Sequence, residues 1–199
     1  MVVSAKTMPA PLFITGNPVA DKFLMDEPLA LLIGMLLDQQ VPMEWAFRGP
    51  WTLQERLGGT LNCALIASME PDAVVTLFCA KPALHRYPAA MARRTHELCN
   101  FMVDNYDGDV EALWRDTTSG SELYRRLREL PGFGDEKAKI FMAILAKRFG
   151  IRPRGWKTAA VPFSDATPRS VADIHSPESL ARVRAFKKAK KEQGKTKAD

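Results

Sequence analysis

Cysteine and histidine are both scarce in this sequence, which contains three of each among 199 residues. The cysteines, Cys63, Cys79 and Cys99, form no CxxC pair, and three thiolates cannot complete a four-cysteine zinc or iron–sulfur site. The histidines are scattered and show no HExxH spacing. We therefore expect neither a bound metal ion nor an iron–sulfur cluster.

Long apolar runs are also missing. The longest nearly unbroken run, residues 28–37, is much shorter than the roughly 20 residues that a membrane-spanning helix needs. The N-terminal residues contain no continuous apolar core of the signal-peptide type. These absences predict a cytoplasmic protein with no membrane partner.

Strand patterns are absent as well, because no segment alternates apolar and polar residues over more than four positions. Helical patterns are frequent, and the clearest predicts a helix over residues 27–40 with one apolar stripe. The sequence therefore predicts an all-α protein with about ten helices, most of them short. The other helices that we expect are a short one opening at Pro18, then 42–57 with an interruption or bend near Gly49-Pro50, 61–69, 71–79, 88–106, 109–114, 119–129, 135–149 and 176–191, whereas 151–170 is expected to be a structured loop.

Charge is unevenly distributed along the chain. The sequence has 28 basic and 23 acidic side chains, but residues 182–199 alone hold eight basic and two acidic ones. The rest of the chain holds 20 basic and 21 acidic side chains, a net charge of −1. We divide the chain into an N-terminal arm with the first helix (1–26), a helical domain (27–181) and a basic, disordered tail (182–199). The tail would add sequence-independent attraction to nucleic acid.

One connection between two amphipathic helices has the sequence Leu-Pro-Gly-Phe-Gly, at residues 130–134. Pro131 cannot continue the preceding helix, while Gly132 and Gly134 permit positive φ and leave the backbone uncovered. Exposed N–H groups at the positive end of the following helix suit a phosphate oxygen. Phe133 is expected to point inward and hold the two helices together. An ordinary corner between helices is the alternative, but it explains only one glycine.

The hairpin and its surroundings resemble a known family. The segment LRELPGFGDEKAKIFMAILAKRFG is similar to the helix-hairpin-helix of base-excision DNA glycosylases, the HhH-GPD superfamily that includes endonuclease III. LLIGMLLDQQ resembles the family's early helix, and RYPAAMARRTHELCNFMVDNYDGDVEAL resembles the helix and connector before the hairpin. The resemblance covers residues 27–165 and points in particular to a small bacterial branch without the iron–sulfur cluster.

This resemblance implies two helical subdomains on either side of a cleft and a function in base-excision repair. It implies a monomeric, monofunctional DNA glycosylase associated with the nucleoid. Such an enzyme hydrolyses the N-glycosidic bond of a damaged or mismatched base in double-stranded DNA. No cofactor is expected beyond a monovalent cation that the hairpin carbonyls could hold.

Glycosidic hydrolysis builds positive charge on the sugar, which a carboxylate stabilises while it orients water. The family places this aspartate in a loop after the hairpin, and the resemblance assigns the role to Asp165, with Asp173 as its rival. The loop is longer than in endonuclease III, and a surface turn or cap is the alternative role for Asp165. Glu136 occupies the position at which lyase members carry lysine, and Lys137 follows it. A shift of one residue along a helix turns the direction of the side chain by about 100°. Lys137 would therefore not point where the lysine of lyase members points, which argues against lyase activity. Glu136 is itself a further catalytic candidate that could enter the cleft, with a favourable interaction with the helix dipole as its alternative role.

The remaining candidates concern DNA contacts. Lys137 and Lys139 are expected to face solvent or a phosphate. Gln40 matches the family's polar residue that fills the space of an extruded base, and the alternatives are a helix-capping role or Gln39 in its place. A flipped base is held between flat side chains. Three aromatic residues could line such a pocket, with burial in the core as their alternative: Trp45, Trp51 and Tyr87.

Two other functions fit the same residues. A DNA-binding module without catalysis, recognising damaged or distorted duplex, agrees with the missing lysine and with the poorly matching aspartate loop. A bifunctional enzyme would use Lys137 as a Schiff-base nucleophile, and it would have to form a protein–DNA adduct that borohydride traps.

Overall fold

The structure, a computed structural model, describes residues 11–194 and 196. Within these residues the chain forms helices and no strand, apart from one isolated β-bridge between Ser119 and Arg154. The prediction of an all-α protein is therefore confirmed. The helices are α1 (Pro18–Asp26), α2 (Pro28–Leu37), α3 (Met43–Arg56), α4 (Cys63–Ala67), α5 (Pro71–Cys79), α6 (Pro88–Tyr106), α7 (Ala112–Arg115), α8 (Gly120–Glu129), α9 (Asp135–Arg148), α10 (Trp156–Ala159), a 3-10 helix (Val171–Asp173) and α11 (Pro177–Glu192).

Several helices begin at capping residues that the sequence marks. The side chain of Asn17 accepts hydrogen bonds from the first amides of α1, and Ser119 and Ser176 cap α8 and α11 in the same way. A side-chain oxygen at this position satisfies an N–H group that has no partner inside the helix, which is worth about 1 kcal/mol. These three starts agree with the sequence prediction to within one residue.

α2 lies at the centre of the molecule and contacts α1, α3, α6 and α9. Residues 29–37 are all buried, so this helix is enclosed on every side rather than along one stripe. It ends at Leu37, before the predicted end, because the chain turns tightly at Asp38 and Gln40 takes a left-handed conformation. Although α2 is apolar throughout, no helix in the described part of the chain has the length and apolar character to cross a bilayer.

α3 continues as one helix through Gly49-Pro50, so the chain is not interrupted there. Two glycines allow α2 and α3 to approach closely. A Cβ atom on Gly34 would stand 2.6 Å from the Phe47 ring, and one on Gly49 would stand 2.7 Å from Leu37 Cδ1. This close contact holds the last turn of α2 in a fixed position.

The predicted loop over residues 151–170 contains one turn of helix, α10. The loop packs on the start of α8, where a Cβ atom on Gly120 would stand 2.6 Å from Trp156 Cα. The Gly120 N–H donates to the Arg154 carbonyl at 2.8 Å, and the Arg154 N–H donates to Thr118 at 3.2 Å. These contacts fix the loop beside the start of α8. This end of the α8–α9 pair is the one opposite the connection between the two helices.

The basic C-terminal segment begins inside a helix. Residues 182–192 belong to α11, so the predicted boundary of a disordered tail at residue 182 is corrected. Val183 is buried and Arg184 pairs with Glu44 of α3, and these contacts hold the helix on the body of the protein. Residues 1–10 of the predicted N-terminal arm and the last residues of the predicted tail lie outside the described residues.

Candidate nucleic-acid interface

The hairpin between α8 and α9 is a tight turn with a defined backbone geometry. The Phe133 N–H donates to the Leu130 carbonyl at 3.0 Å, and Gly132 has a φ of 79°. Pro131 followed by such a glycine is typical of a type II turn, whose third residue needs a positive φ. The backbone therefore requires the glycine at position 132, as the sequence predicts.

Phe133 connects the hairpin to the core. Its side chain is 5% exposed and packs edge-to-face against Phe141 of α9, with ring centroids 6.0 Å apart. Aromatic pairs of this kind add about 0.5–1.5 kcal/mol to the effect of burial. The predicted inward position of Phe133 is confirmed, so its ring is not available to a ligand.

The two hairpin glycines have different surroundings. A Cβ atom on Gly132 would stand 2.5 Å from Leu36 Cδ1, so the turn is docked on the last turn of α2. Gly134 is exposed with a φ of −82°, and a Cβ atom there would meet Arg128 Nη1 at 3.9 Å. Within the described residues, no group accepts a hydrogen bond from the N–H of Gly132 or Gly134. The hairpin thus presents backbone donors to solvent beside the N-terminus of α9.

Acidic and basic side chains balance one another around this turn. Asp135, the first residue of α9, accepts a hydrogen bond from the Tyr124 hydroxyl and pairs with Lys139 at 3.0 Å. The Tyr124 hydroxyl, followed by the Lys139 ammonium, lowers the pKa of the Asp135 carboxyl. Lys139 is half-buried in this pair, so it does not project freely into solvent, and its alternative role as a phosphate contact stays a prediction. Arg128 is the exposed cation beside Gly134.

Lys137 reaches across to α2 instead of into solvent. Its ammonium donates to the carbonyl of Leu36, in the last turn of α2. Carbonyl groups at this end of a helix have no partner within it, and the helix dipole favours a cation there. Lys137 is therefore a capping residue of α2 rather than a solvent-facing one, and its alternative role as a phosphate contact stays a prediction. Glu136 precedes it in the first turn of α9 and is half-buried.

The turn after α2 contains two glutamines with different environments. Gln39 is half-buried, and its side-chain amide lies 3.4 Å from the Leu36 carbonyl and 3.0 Å from the Met91 sulfur. Gln40 is exposed and has a φ of 57°. A left-handed backbone costs a residue with a side chain about 1–3 kcal/mol and is concentrated at binding sites. Gln40 is thus the projecting residue of this turn, and Gln39 is the anchored one.

A buried histidine supports the same turn. His85 is 1% exposed, and its Nδ1 accepts the Tyr87 N–H at 3.0 Å. Its proton therefore lies on Nε2, which donates to the Gln39 carbonyl at 2.9 Å. Burial lowers the pKa of His85, and the charges of Lys137 and Arg94 lower it further. The neutral ring is a fixed support of the turn at neutral pH.

A pocket of about 260 Å³ opens between this turn and the start of α6. Its lining includes Gln39, Gln40, His85, Tyr87, Met91 and Arg94. Tyr87 is 45% exposed, and the Arg86 guanidinium lies 5.5 Å from the centroid of its ring. The pocket combines amide donors and acceptors, an aromatic face and a cation. Such groups can stack on a nucleobase and hydrogen-bond its edge.

One of the three predicted aromatic residues lies at this pocket, and it is Tyr87. Trp45 stands beside His85, with ring centroids 6.4 Å apart, and its indole N–H is bound to a backbone carbonyl at 3.3 Å. Trp51 is half-buried and packs edge-on against Phe23, with ring centroids 5.4 Å apart. Trp51 therefore belongs to the packing around the core, and the structure does not bring it to the pocket.

The two predicted catalytic aspartates lie at the other end of α9. Lys147, near the C-terminus of this helix, donates to the backbone carbonyl of Asp165 at 2.7 Å and pairs with the carboxylate of Asp173. Because an α-helix rises about 1.5 Å per residue, Lys147 lies about 18 Å along the helix from Asp135. The structure therefore brings the two aspartates together but does not bring either carboxylate to the hairpin.

Both carboxylates are engaged in local structure. Asp173 closes a capping box around the 3-10 helix and accepts the N–H groups of Arg169 and Ser170 at 3.0 Å. Asp165 is exposed, accepts the Thr167 N–H at 2.9 Å and pairs with Arg169 at 3.2 Å. Burial raises the pKa of Asp165, but the bonds from Arg169 and Thr167 together hold it below its usual range.

Sequence reasoning missed the residues that support the pocket. Met91 and Arg94 are three residues apart on α6, a spacing that places side chains on one face of a helix. This spacing is the only signal in the sequence, because His85 and the turn after α2 meet through tertiary structure alone.

Metal-binding side chains do not converge at the pocket. Within residues 11–194 and 196, no group of three or more histidine, cysteine or carboxylate side chains could hold a metal ion. The site consists instead of backbone amides, side-chain amides, aromatic rings and cations. Comparisons of the chain with protein-family models, with curated proteins and with solved structures found no match.

Proposed function

We propose that this chain binds double-stranded DNA at a damaged or mismatched base, as base-excision glycosylases of the HhH-GPD type do. The hairpin binds one backbone phosphate, and the pocket beside Gln40 receives the extruded base. One observation carries this proposal. Gly132 packs on the side chain of Leu36, and the Lys137 ammonium donates to the carbonyl of Leu36. The hairpin and the turn that contains Gln40 therefore meet at the C-terminal end of α2.

The hairpin has the donors that a phosphate oxygen requires. The N–H groups of Gly132 and Gly134 lie at a helix N-terminus, which carries a partial positive charge of about +0.5. Asp135 would repel a phosphate, but Tyr124 and Lys139 bind its carboxylate. The monovalent cation stays a prediction, in which the hairpin carbonyls would hold it.

Gln40 and Tyr87 have the chemistry that base extrusion requires. The Gln40 amide can donate and accept hydrogen bonds, so it can face the unpaired base that remains in the duplex. The exposed Tyr87 ring offers a stacking face worth about 1–3 kcal/mol per base. Extrusion costs a few kcal/mol and costs least at a mismatch or lesion, so the pocket would select such sites.

Gly134→Ala tests phosphate binding at the hairpin. The backbone there has a negative φ, and the added Cβ atom would have only an ordinary contact, so the fold should persist. The methyl group would cover the surface on which a phosphate approaches. Losing one charge-assisted hydrogen bond should reduce DNA affinity by about tenfold. Fluorescence anisotropy with a duplex that carries one mismatch would measure the change.

Ser121→Ala is the control for this measurement, because it alters an exposed residue at the other end of α8. Its affinity and melting temperature should match those of the wild type. Wild-type affinity in Gly134→Ala would exclude the hairpin as the phosphate site. Equal affinity of the wild type for matched and mismatched duplexes would exclude base capture in the pocket.

Hydrolysis of the N-glycosidic bond is the second candidate function. In this reaction water adds to the sugar carbon C1′, the bond from C1′ to the base nitrogen breaks, and the base leaves with a proton. A carboxylate must stand near C1′ in the transition state. Glu136 is half-buried next to Lys137, which reaches the helix end beside the pocket. Because Asp165 and Asp173 lie at the other end of α9, about 18 Å away along the helix, we favour Glu136, in the first turn of α9, as the catalytic carboxylate.

Glu136→Gln is expected to reduce base release by at least about 100-fold, because the positive charge on the sugar would lose its partner. DNA binding should be retained. Alkali-induced strand cleavage on duplexes that each carry one modified base would report abasic product, with Asp165→Asn as the control that keeps activity. Full activity in Glu136→Gln together with loss in Asp165→Asn would reverse this assignment. Binding without abasic product on any duplex would identify a non-catalytic module.

A further inference from the structure

A second polar pocket, of about 560 Å³, lies at the end of α9 opposite the hairpin. It is bounded by the end of α9, by α10, by the loop around the 3-10 helix and by α11. Its charged lining residues are Lys147, Arg148, Lys157, Asp165, Asp173 and Arg182. The proposed function makes no use of this pocket.

The two carboxylates of this pocket are already neutralised. Asp173 pairs with Lys147, and their side chains are only 10% and 15% exposed. Asp165 pairs with Arg169 at 3.2 Å. Three cationic side chains remain for which no ion pair is found within the described residues: Arg148, Lys157 and Arg182. The Glu178 carboxylate interacts electrostatically with Arg182 and offsets only part of the positive charge of these three side chains.

Arg148 is the pre-oriented cation of the pocket. Its Nε donates to the Ala172 carbonyl at 2.9 Å, which fixes the plane of the guanidinium. Within the described residues, no group accepts a hydrogen bond from the two terminal nitrogens of the Arg148 guanidinium. A half-buried guanidinium with an open edge suits two oxygens of one phosphate, because its donors form a rigid fork.

We propose that this pocket binds a phosphate group, with Arg148 as the fixed ligand and Lys157 and Arg182 as flexible ones. Resting on the proposed function, we assign this phosphate to the backbone of the bound duplex. The pocket lies about 18 Å along α9 from the hairpin. With α9 aligned along the duplex axis, the two contacts would be about five base pairs apart, since each nucleotide advances about 3.4 Å along B-DNA.

The salt dependence of DNA binding tests this assignment. Lys157→Gln should lower the slope of log affinity against log salt by about 0.9, the value for one lost phosphate contact. Lys157 is exposed, so the variant should fold normally. Arg148→Gln should have the same effect. Lys22→Gln, which removes one exposed charge from α1, is the matched control and should leave the slope nearly unchanged.

Titration with inorganic phosphate at constant ionic strength tests the pocket without DNA. The NMR signals of the Arg148 Nε–H and the Lys157 amide should shift in the wild type, and the Lys157 shift should be lost in Arg148→Gln. Absence of these shifts in the wild type would overturn the inference. Shifts with an unaltered salt slope would overturn its assignment to DNA and leave the hairpin proposal standing. Failure of the wild type to bind any duplex would refute the proposed function, and the titration would still decide whether the pocket binds phosphate.

Discussion

Gly132→Ala is expected to lower the free energy of unfolding by about 2–5 kcal/mol, from two additive causes. The left-handed backbone at position 132, with a φ of 79°, costs a residue with a Cβ atom about 1–2 kcal/mol. The new Cβ atom would also stand 2.5 Å from Leu36 Cδ1. Leu36 is fully buried in α2, and protein interiors are close-packed, so the overlap adds about 1–3 kcal/mol. Equilibrium unfolding in urea would measure the change.

Gly150→Ala separates the two causes. Gly150 has a similar φ of 71°, but an added Cβ atom would have no neighbour within 4 Å. Only the conformational cost of about 1–2 kcal/mol applies there. Equal losses of stability in the two variants would contradict the close packing of the hairpin on α2.

The two hairpin glycines are therefore expected to separate stability from DNA binding. Gly132 faces Leu36 and supports the fold, whereas Gly134 faces solvent and would meet a phosphate. Alanine at position 132 should lower the urea midpoint, and alanine at position 134 should weaken DNA binding at an almost unchanged midpoint. The two glycines are only two residues apart, and the sequence motif alone does not distinguish their roles.

Local signals predict most of the helices. Pro71–Cys79 and Pro88–Tyr106 begin and end where the sequence indicates, because each starts at a proline and ends at residues that stop a helix. The end of α2 is not predicted by such local signals. The turn that follows α2 is held by the hydrogen bond from His85 to the Gln39 carbonyl, and these residues are 46 positions apart in the chain.

The candidate site likewise has one part that the sequence predicts and one part that it does not. The hairpin is contiguous in sequence, so its glycines and the inward Phe133 can be predicted from the motif. The pocket is assembled from the turn after α2, the segment around His85 and one face of α6, and no local pattern connects these parts. The position of Asp165 depends on the course of the loop before it. That loop is held at the start of α8 by the hydrogen bonds of Arg154 with Gly120 and Thr118, so it does not return to the hairpin.

Asp173→Asn is expected to lower the free energy of unfolding by about 3 kcal/mol, near the lower end of the range for breaking a buried ion pair. The carboxylate pairs with Lys147 and accepts two backbone N–H groups, and both side chains of the pair are largely buried. Asparagine keeps an oxygen acceptor for the backbone but loses the charge. The Lys147 ammonium would then remain half-buried with only neutral acceptors.

Asp165→Asn is the matched control, because its carboxylate is 43% exposed and pairs at the surface. Exposed pairs contribute about 0–1 kcal/mol, so this variant should unfold at nearly the wild-type urea concentration. Measuring urea unfolding and base release on the same variants separates a structural carboxylate from a catalytic one. Wild-type stability in Asp173→Asn combined with a loss of base release would make Asp173 the catalytic group and would place the chemistry in the pocket at the far end of α9.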